Sequence, residues 1–355
     1  MSSIRAIFVE SRGHAVLRSV TLPKIPDDYI LVKTKAVALN PTDWKHIHLE
    51  DCADTIAGCD YAGVVEAIGP MVSKDWKKGD RVAGFVHGCN LVQPKSGAFA
   101  GYVLAKGDIQ FRIPDFMSFE AASTLGVGLT TVGQNLYQYL QLPSPRREAL
   151  TDGCAVDDPP ETILIYGGAT ATGCLAIQFA KQSGLRVLTT CSQVNQSYMY
   201  DLGADIAFDY HDPQVGDRIR DETDDALELA FDTISTPQSA AICATAISSA
   251  GGSYAALLDV RCPRVDVDTQ VSMAYAMIGE KYHLGKFEID GKSADLEFAT
   301  RWAEEVEFLL QARQIHPHRY QIKPGGLEGV LEGLQLLREG KVRACKLVYP
   351  VDETQ

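Results

Sequence analysis

The stretch Ile163–Cys174, ILIYGGATATGC, governs how the rest of the chain is read. An apolar run passes into a glycine pair and then into small residues of helical character. A buried strand that turns on glycine into a helix is the local plan of a dinucleotide site. Gly168 allows the tight turn, and Gly173 lets the helix approach the sheet. Backbone N–H groups at the helix start can hold a pyrophosphate with help from the helix dipole. The middle glycine of the usual G-x-G-x-x-G pattern is Thr170 here, which narrows the turn but offers a hydroxyl to phosphate. An ordinary strand–helix turn looks similar, so the motif needs its surroundings.

Those surroundings alternate strand and helix. The pattern predicts strands at Thr162–Tyr166, Leu185–Thr190, Ile206–Phe208, Leu229–Thr233 and Ser253–Leu258. Helices are predicted at Gly173–Ser183, closed by Gly184, at Gln196–Leu202, and at Pro237–Ala250. Successive strand–helix units imply a parallel sheet with right-handed crossovers. Upstream, Tyr29–Leu39, Tyr61–Ile68 and Arg81–Phe85 read as strands punctuated by Gly58, Gly63, Gly69, Gly79 and Gly84, which suggests an antiparallel barrel or sandwich. Phe119–Leu125 and Thr131–Tyr139 have helical periodicity. A polar, proline-rich loop follows at 142–161. From Glu305 the pattern is helical again, and Lys346–Tyr349 is a final strand.

The end of the second strand of the parallel sheet bears on the cofactor. NAD enzymes usually carry an acid there for the ribose hydroxyls. Here the residues are Thr190, Cys191, Ser192, Gln193, Val194 and Asn195, with no carboxylate to repel a 2′-phosphate. Ser192 and Asn195 can donate to one, and Tyr210 follows the third strand. The reading is NADPH, although no arginine or lysine stands in the loop.

Composition sets the outer bounds. The chain has 355 residues and a formal net charge of -13. That charge argues against non-specific attraction to nucleic acid or anionic membrane. No apolar run is long enough to span a bilayer, and charges interrupt Met1–Leu17 where a signal peptide would need an apolar core. A soluble, cytoplasmic protein is expected. The nine cysteines are odd in number and form no C-x-x-C, as in reduced, structural thiol usage.

With this order of segments, NPTDWK (Asn40–Lys45), GCDYAGVVEAIG (Gly58–Gly69), KKGDRVAGF (Lys77–Phe85) and GAFAGYV (Gly97–Val103) resemble the medium-chain dehydrogenase/reductase superfamily. YGGATATG, the CSxxN turn, FDY (Phe208–Tyr210) and the proline-rich insertion are similar to the trans-acting enoyl reductases of fungal polyketide pathways, the lovastatin enoyl reductase type. The resemblance covers nearly the whole chain. It implies an α/β fold: a GroES-like β-barrel catalytic domain (1–130), a Rossmann domain with a doubly wound parallel sheet that binds NADPH (131–290), and a C-terminal segment (291–355) returning to the catalytic domain. It also implies a monomer working beside a polyketide synthase or a polyketide synthase–nonribosomal peptide synthetase (PKS-NRPS), whose carrier domain presents the enoyl thioester.

The resemblance further assigns positions. Thr42, Asp43, Trp44 and Lys45 belong to the nicotinamide end. Gly168, Ala169, Thr170, Ala171, Thr172 and Gly173 belong to the pyrophosphate, and Ser192, Gln193, Val194, Asn195 and Tyr210 to the 2′-phosphate side. Leu257 and Leu258 lie by the nicotinamide ribose and amide, and Arg343 and Ala344 match another cofactor-side position. The acyl tunnel is assigned to Thr131, Val132, Gly133, Gln134, Asn135, Leu136, Tyr137 and Gln138 and to Ala274, Tyr275, Ala276, Met277 and Ile278. Both segments read equally well as core or as a dimer interface, though Tyr275, Met277 and Ile278 suit a tunnel wall.

No metal is expected. Zinc members of the superfamily need two thiolates and an imidazole, and the matching positions are Asn40, Cys59, Asp60 and roughly Val127. Of the structural zinc lobe's four cysteines only Cys89 remains. His46 and His48, read on an alternating segment, face one side as solvated surface residues. Reducing a C=C bond conjugated to a thioester requires positioning, electrostatic help and a proton source, and no Lewis acid. Lys45, just after NPTD, is the candidate for that help, with Thr42 as a second polar group. Two alternatives stay open: a stand-alone NADPH quinone or enal reductase, and a non-catalytic NADPH-binding protein.

Overall fold

The structure is a computed structural model that describes residues 3–145, 160–284 and 287–354. In chain order it begins with β1 (Ser3–Ser11), β2 (His14–Thr21), β3 (Tyr29–Ala38), α1 (Pro41–Leu49), β4 (Thr55–Ile56), β5 (Asp60–Ile68), β6 (Arg81–Phe85), β7 (Tyr102–Lys106), β8 (Phe111–Arg112), α2 (Phe119–Ser123) and α3 (Gly126–Val132). It continues with β9 (Thr162–Tyr166), α4 (Ala171–Gln182), β10 (Arg186–Cys191), α5 (Gln196–Asp201), β11 (Ile206–Asp209), α6 (Val215–Glu222), β12 (Leu229–Asp232), α7 (Pro237–Ala246), β13 (Gly252–Ala256) and β14 (Val267–Val271). The last elements are β15 (Tyr282–Leu284), β16 (Phe287–Ile289), α8 (Ser293–Gln311), β17 (Tyr320–Ile322), α9 (Gly326–Arg338) and β18 (Lys346–Pro350). Two compact units result: residues 1–130, 275–312 and 317–355 form one, and residues 131–274 and 313–316 the other.

The first unit is built on a seven-stranded sheet in which β17, β18, β3, β5, β6 and β8 lie in order and β7 also pairs with β3. All its pairings are antiparallel except β17 with β18. A three-stranded sheet, β2-β1-β4, accompanies it. Ile30, Val32, Val37, Tyr61, Val82, Phe99 and Val103 are fully enclosed in its core. Each such aliphatic side chain contributes about 1.5–3 kcal/mol by leaving water. The core's large polar group is satisfied, since the Tyr61 hydroxyl donates to Gln110 Oε1 at 3.0 Å.

The second unit holds the parallel sheet, in the order β11-β10-β9-β12-β13-β14. Ile163 stands between Val187 and Leu229 in register. Ile163, Leu164 and Ile165 of β9 are completely buried, as expected of a central strand covered on both faces and written as a continuous apolar run. Helix α7 ends earlier than its apolar run suggests: Ile247 leaves the helical region, and the Ser248 N–H goes to Leu227 O. Helix α6 and edge strand β14 are additional to the elements expected from the sequence.

Residues 275–290, expected with the Rossmann domain, belong to the first unit. An ionic cluster ties this segment to the first unit: the Lys106 ammonium reaches Glu280 Oε1 at 2.8 Å and Asp28 Oδ2 at 2.5 Å, while the Tyr29 hydroxyl donates to Glu280 Oε2 at 2.7 Å. Of the expected insertion at 142–161, residues 146–159 lie outside the described residues.

Candidate active site

The second unit presents the glycine turn. Gly167, and not Gly168, takes the left-handed conformation, with φ of +84°. Gly168 is required for space, since a Cβ there would lie 2.2 Å from Thr189 Oγ1 and 2.8 Å from Met199 Sδ. A Cβ on Gly173 would lie 2.4 Å from Gly167 O, so the helix start sits directly on the turn. Thr170 departs from its expected role. Its hydroxyl is the N-cap of α4, accepting from the Gly173 N–H at 2.9 Å and sharing a hydrogen bond with Thr233 Oγ1 at 2.9 Å. That closes one orphan donor of the helix and leaves the first-turn amides of Ala171 and Thr172 to face a ligand. This turn, with its glycines and the amides at the helix start, fits the pyrophosphate of a dinucleotide.

At the end of β10, Asn195 Nδ2 donates to Ser192 Oγ at 3.0 Å, and Gln193 and Val194 are exposed. Tyr210 is half-exposed beside His211, with ring centroids 4.1 Å apart. One carboxylate that sequence reasoning passed over stands near: Asp209 pairs in register with Cys191. Its Oδ1 is engaged by His211, accepting from the backbone N–H at 3.0 Å with the ring Nδ1 at 2.8 Å. The Leu257 N–H donates to Ser235 Oγ at 2.8 Å, and Leu258 is exposed.

In the first unit, NPTDWK forms the start of helix α1 rather than an alternating segment. Asn40 is the N-cap, Pro41 is the first helical residue, and Asp43 Oδ2 accepts from the Asn40 N–H at 2.7 Å, completing a capping box. Burial pushes the Asp43 carboxyl up to about 7. The helical turn separates His46 from His48. The His48 side remains open, with Arg338 Nη1 3.4 Å from its Nε2. His46 turns inward, 5.5 Å from the Tyr275 ring and 6.1 Å from His87. Burial holds His46 down to about 4 and His87 down to about 3, so both rings are neutral.

Tyr275 is the centre of this group. Its ring stacks on His87 with centroids 3.8 Å apart and planes 12° from parallel. Its hydroxyl lies 2.9 Å from Thr42 Oγ1 and 3.9 Å from Cys59 Sγ. Lys45 is half-buried, and loss of water lowers its pKa from the ordinary lysine value. Sequence reading had Thr42, Lys45 and Tyr275 but missed His87, which sits in a loop with no periodicity to mark it.

The positions that the family resemblance matches to zinc ligands hold a lysine ammonium instead. Lys346 Nζ, at the start of β18, donates to Asp60 Oδ2 at 2.5 Å, Asn40 Oδ1 at 2.9 Å and Thr124 O at 3.1 Å. Asp60 Oδ2 also accepts from Asn40 Nδ2 at 2.9 Å, and its Oδ1 from the Val127 N–H at 2.6 Å. All three ammonium hydrogens and both carboxylate oxygens are thereby used. Cys59 stays a neutral thiol because burial raises its pKa. Among the described residues no group of three or more His, Cys, Asp or Glu side chains is placed to hold a metal ion. A catalytic zinc does not fit these residues.

The expected tunnel segments divide between the units. Thr131 and Val132 end α3, and Gly133–Tyr139 forms a π-helical turn, a feature often found at functional sites. Gln134 Oε1 accepts from the Met273 N–H at 2.9 Å, Asn135 Nδ2 donates to Thr131 O at 2.8 Å, and the Tyr137 hydroxyl lies 2.9 Å from Ser183 Oγ of the α4 end. Leu136 is completely buried, and this segment packs within the second unit. In the first unit, Met277 lines an apolar cavity with Phe85, Leu129, Ala299, Trp302 and Val306. Arg343 is exposed, and Ala344 adopts a left-handed conformation, φ +50°, rare for a residue with a Cβ.

These two units define a class. Residues 26–115 match the alcohol dehydrogenase GroES-like domain family, and residues 171–256 match the zinc-binding dehydrogenase family. Solved structures give the same fold: an alcohol dehydrogenase superfamily protein from Novosphingobium aromaticivorans (TM-score 0.78, 22% identity, 99% of this chain and 100% of that one) and the CurK enoyl reductase (TM-score 0.73, 16% identity, 98% and 99%). Within the class, the chain belongs to the trans-enoyl reductase family. It is 48% identical to the trans-enoyl reductase resD of Aspergillus sclerotiorum, over 98% of this chain and 100% of that one. It is 43% identical to the trans-enoyl reductase ACTTS2 of Alternaria alternata, over 99% and 100%. It is 50% identical to the trans-enoyl reductase TOXD of Cochliobolus carbonum, over 79% and 93%. None of the described helices is long and apolar enough to cross a membrane.

Proposed function

We propose that this chain is a trans-acting enoyl reductase that reduces the C=C bond of an α,β-unsaturated thioester held on the carrier domain of a partner polyketide synthase, with NADPH as the reductant. Nearly full-length identity of 48% to a trans-enoyl reductase carries the reading. The residues support it chemically, because a conjugated thioester can be reduced without the metal that this site does not accommodate.

The second unit would hold the dinucleotide: Gly168 and Gly173 let the turn and helix start pack closely, the Ala171 and Thr172 amides would meet the pyrophosphate, and Ser192, Asn195 and Tyr210 would meet a 2′-phosphate. Bound NADPH would supply the hydride for the β-carbon. The first unit handles the charge that then develops on the thioester oxygen. The Thr42 hydroxyl can donate to it, and the Lys45 ammonium, partly stripped of water, offers positive charge and a proton for the α-carbon.

The test is NADPH oxidation by the purified chain with a short α,β-unsaturated pantetheine thioester, then with the same acyl group on a carrier domain, beside a quinone control. Turnover on the thioester and not on the quinone is expected. Turnover on the quinone alone overturns the reading in favour of a stand-alone reductase. Tight NADPH binding with no turnover on any of these substrates makes the protein a non-catalytic dinucleotide binder.

A further inference from the structure

We propose that Tyr275 is a positioning residue for this reduction: its phenolic hydroxyl donates to Thr42 Oγ1 and thereby directs the Thr42 hydrogen to the thioester oxygen. The inference rests on the enoyl reductase reading and adds a residue that acts through another.

Two hydroxyls 2.9 Å apart share one hydrogen between them and keep one to spare. Which one is spare depends on which group donates. A phenol is the more acidic and the better donor, and an alkyl hydroxyl is the better acceptor. The other acceptor near the Tyr275 hydroxyl is Cys59 Sγ at 3.9 Å, a weak partner at long range. The hydrogen therefore runs from Tyr275 to Thr42, and the Thr42 hydrogen is free to point elsewhere. Burial agrees with that direction, since Tyr275 is 8% exposed and Cys59 is closed off, whereas Thr42 is partly open.

The phenol is also held still. His87 lies flat on its ring, His46 and Phe85 flank it at 5.5 and 6.4 Å, and the segment that carries it is anchored through Glu280 to Lys106 and Tyr29. A donor fixed before the reaction needs no reorganisation when charge appears. Hydride addition to the β-carbon moves the C=C electron pair into a new bond between the α-carbon and the carbonyl carbon, and the carbonyl pair moves onto the oxygen. Thr42 donates to that oxygen, polarised by the bond it accepts from Tyr275. The α-carbon then takes a proton and the carbonyl re-forms, so neither hydroxyl gains or loses an atom.

The experiment uses the full chain with the enoyl pantetheine thioester and compares Thr42→Val, Tyr275→Phe and the double variant. Loss of a direct donor to an oxyanion lowers kcat about 100-fold, so that is expected for Thr42→Val. Tyr275→Phe keeps the stack on His87 and is expected to lower kcat about 10-fold, with KM changed by less than about threefold. The double variant should be no slower than Thr42→Val, because Tyr275 acts only through Thr42. Thr42→Ser should retain most activity. Fluorotyrosines at 275 give a readout that simple packing does not move, with kcat rising as the phenol becomes more acidic. An unchanged kcat in Tyr275→Phe, multiplicative losses in the double variant, or no response to fluorination overturns the proposal while wild-type thioester turnover leaves the enoyl reductase reading intact. A wild type inactive on free and carrier-bound thioesters overturns both.

Discussion

His87 lies ring to ring on Tyr275, with centroids 3.8 Å apart. The stack keeps the imidazole dry and neutral, and its pKa near 3 has a consequence for stability. His46 and His318, each held down to about 4 by burial, behave alike. In the unfolded chain these rings protonate near pH 6.5. Between about pH 4 and 6.5 the unfolded state binds more protons, so stability falls as pH falls through that window. Buried Asp43, raised to about 7, opposes them by one proton. These groups leave a net slope of about two protons, or roughly 2.7 kcal/mol per pH unit near pH 5. Urea denaturation at pH 5 and 6.5 measures it, and His87→Phe should reduce the slope by about one proton.

Lys346 and Asp60 form a buried pair whose breaking should cost more than its replacement. Lys346→Met leaves a carboxylate enclosed without its cation, a loss of about 3–5 kcal/mol. Adding Asp60→Asn should return at least half of that. Equal losses in the single and double variants would show that the pair is not the source of the effect.

Gly168→Ala should disable the dinucleotide turn, because the new methyl meets Thr189 Oγ1 at 2.2 Å. An increase of at least about tenfold in the NADPH Kd is expected, equivalent to about 1.4 kcal/mol. Thr170→Ala removes the α4 cap and should cost about 1 kcal/mol of stability. Titration of cofactor fluorescence and thermal melts separate the two effects.

On the proposed reading Lys45 acts as a cation, so activity should be present below its pKa and lost as pH rises through it. Because desolvation lowers that pKa, the alkaline limb of kcat should fall below the ordinary lysine range. Lys45→Arg should move the limb to higher pH, since a guanidinium stays charged. Lys45→Met should lower kcat about 100-fold. A limb that stays in place in Lys45→Arg would assign it to another group.

Sequence reading reached the parallel sheet well because strands covered on both faces are continuous apolar runs, as in Ile163–Ile165. It missed the helix at Pro41–Leu49, although Asn40, Pro41 and Asp43 are a capping signature, because the mixed polarity after them resembles alternation. That error carried His46 to the surface. It also gave the tight turn to Gly168, when the preceding Gly167 takes the left-handed conformation. The tie between Lys346 and Asp60 spans 286 positions, and no local pattern announces a lysine that will be buried. His87 and the Glu280 anchor were invisible for the same reason, since their partners are brought together only by the sheets.

The Lys346 ammonium has a meaning beyond packing. A metalloenzyme must be loaded, competes with the cell for its ion, and can be stripped or charged with the wrong element. Here the positive charge at the corresponding place is encoded in the polypeptide, arrives with translation at one per chain, and cannot dissociate while the fold stands. The charge that balances the enclosed Asp60 carboxylate is thereby independent of metal supply.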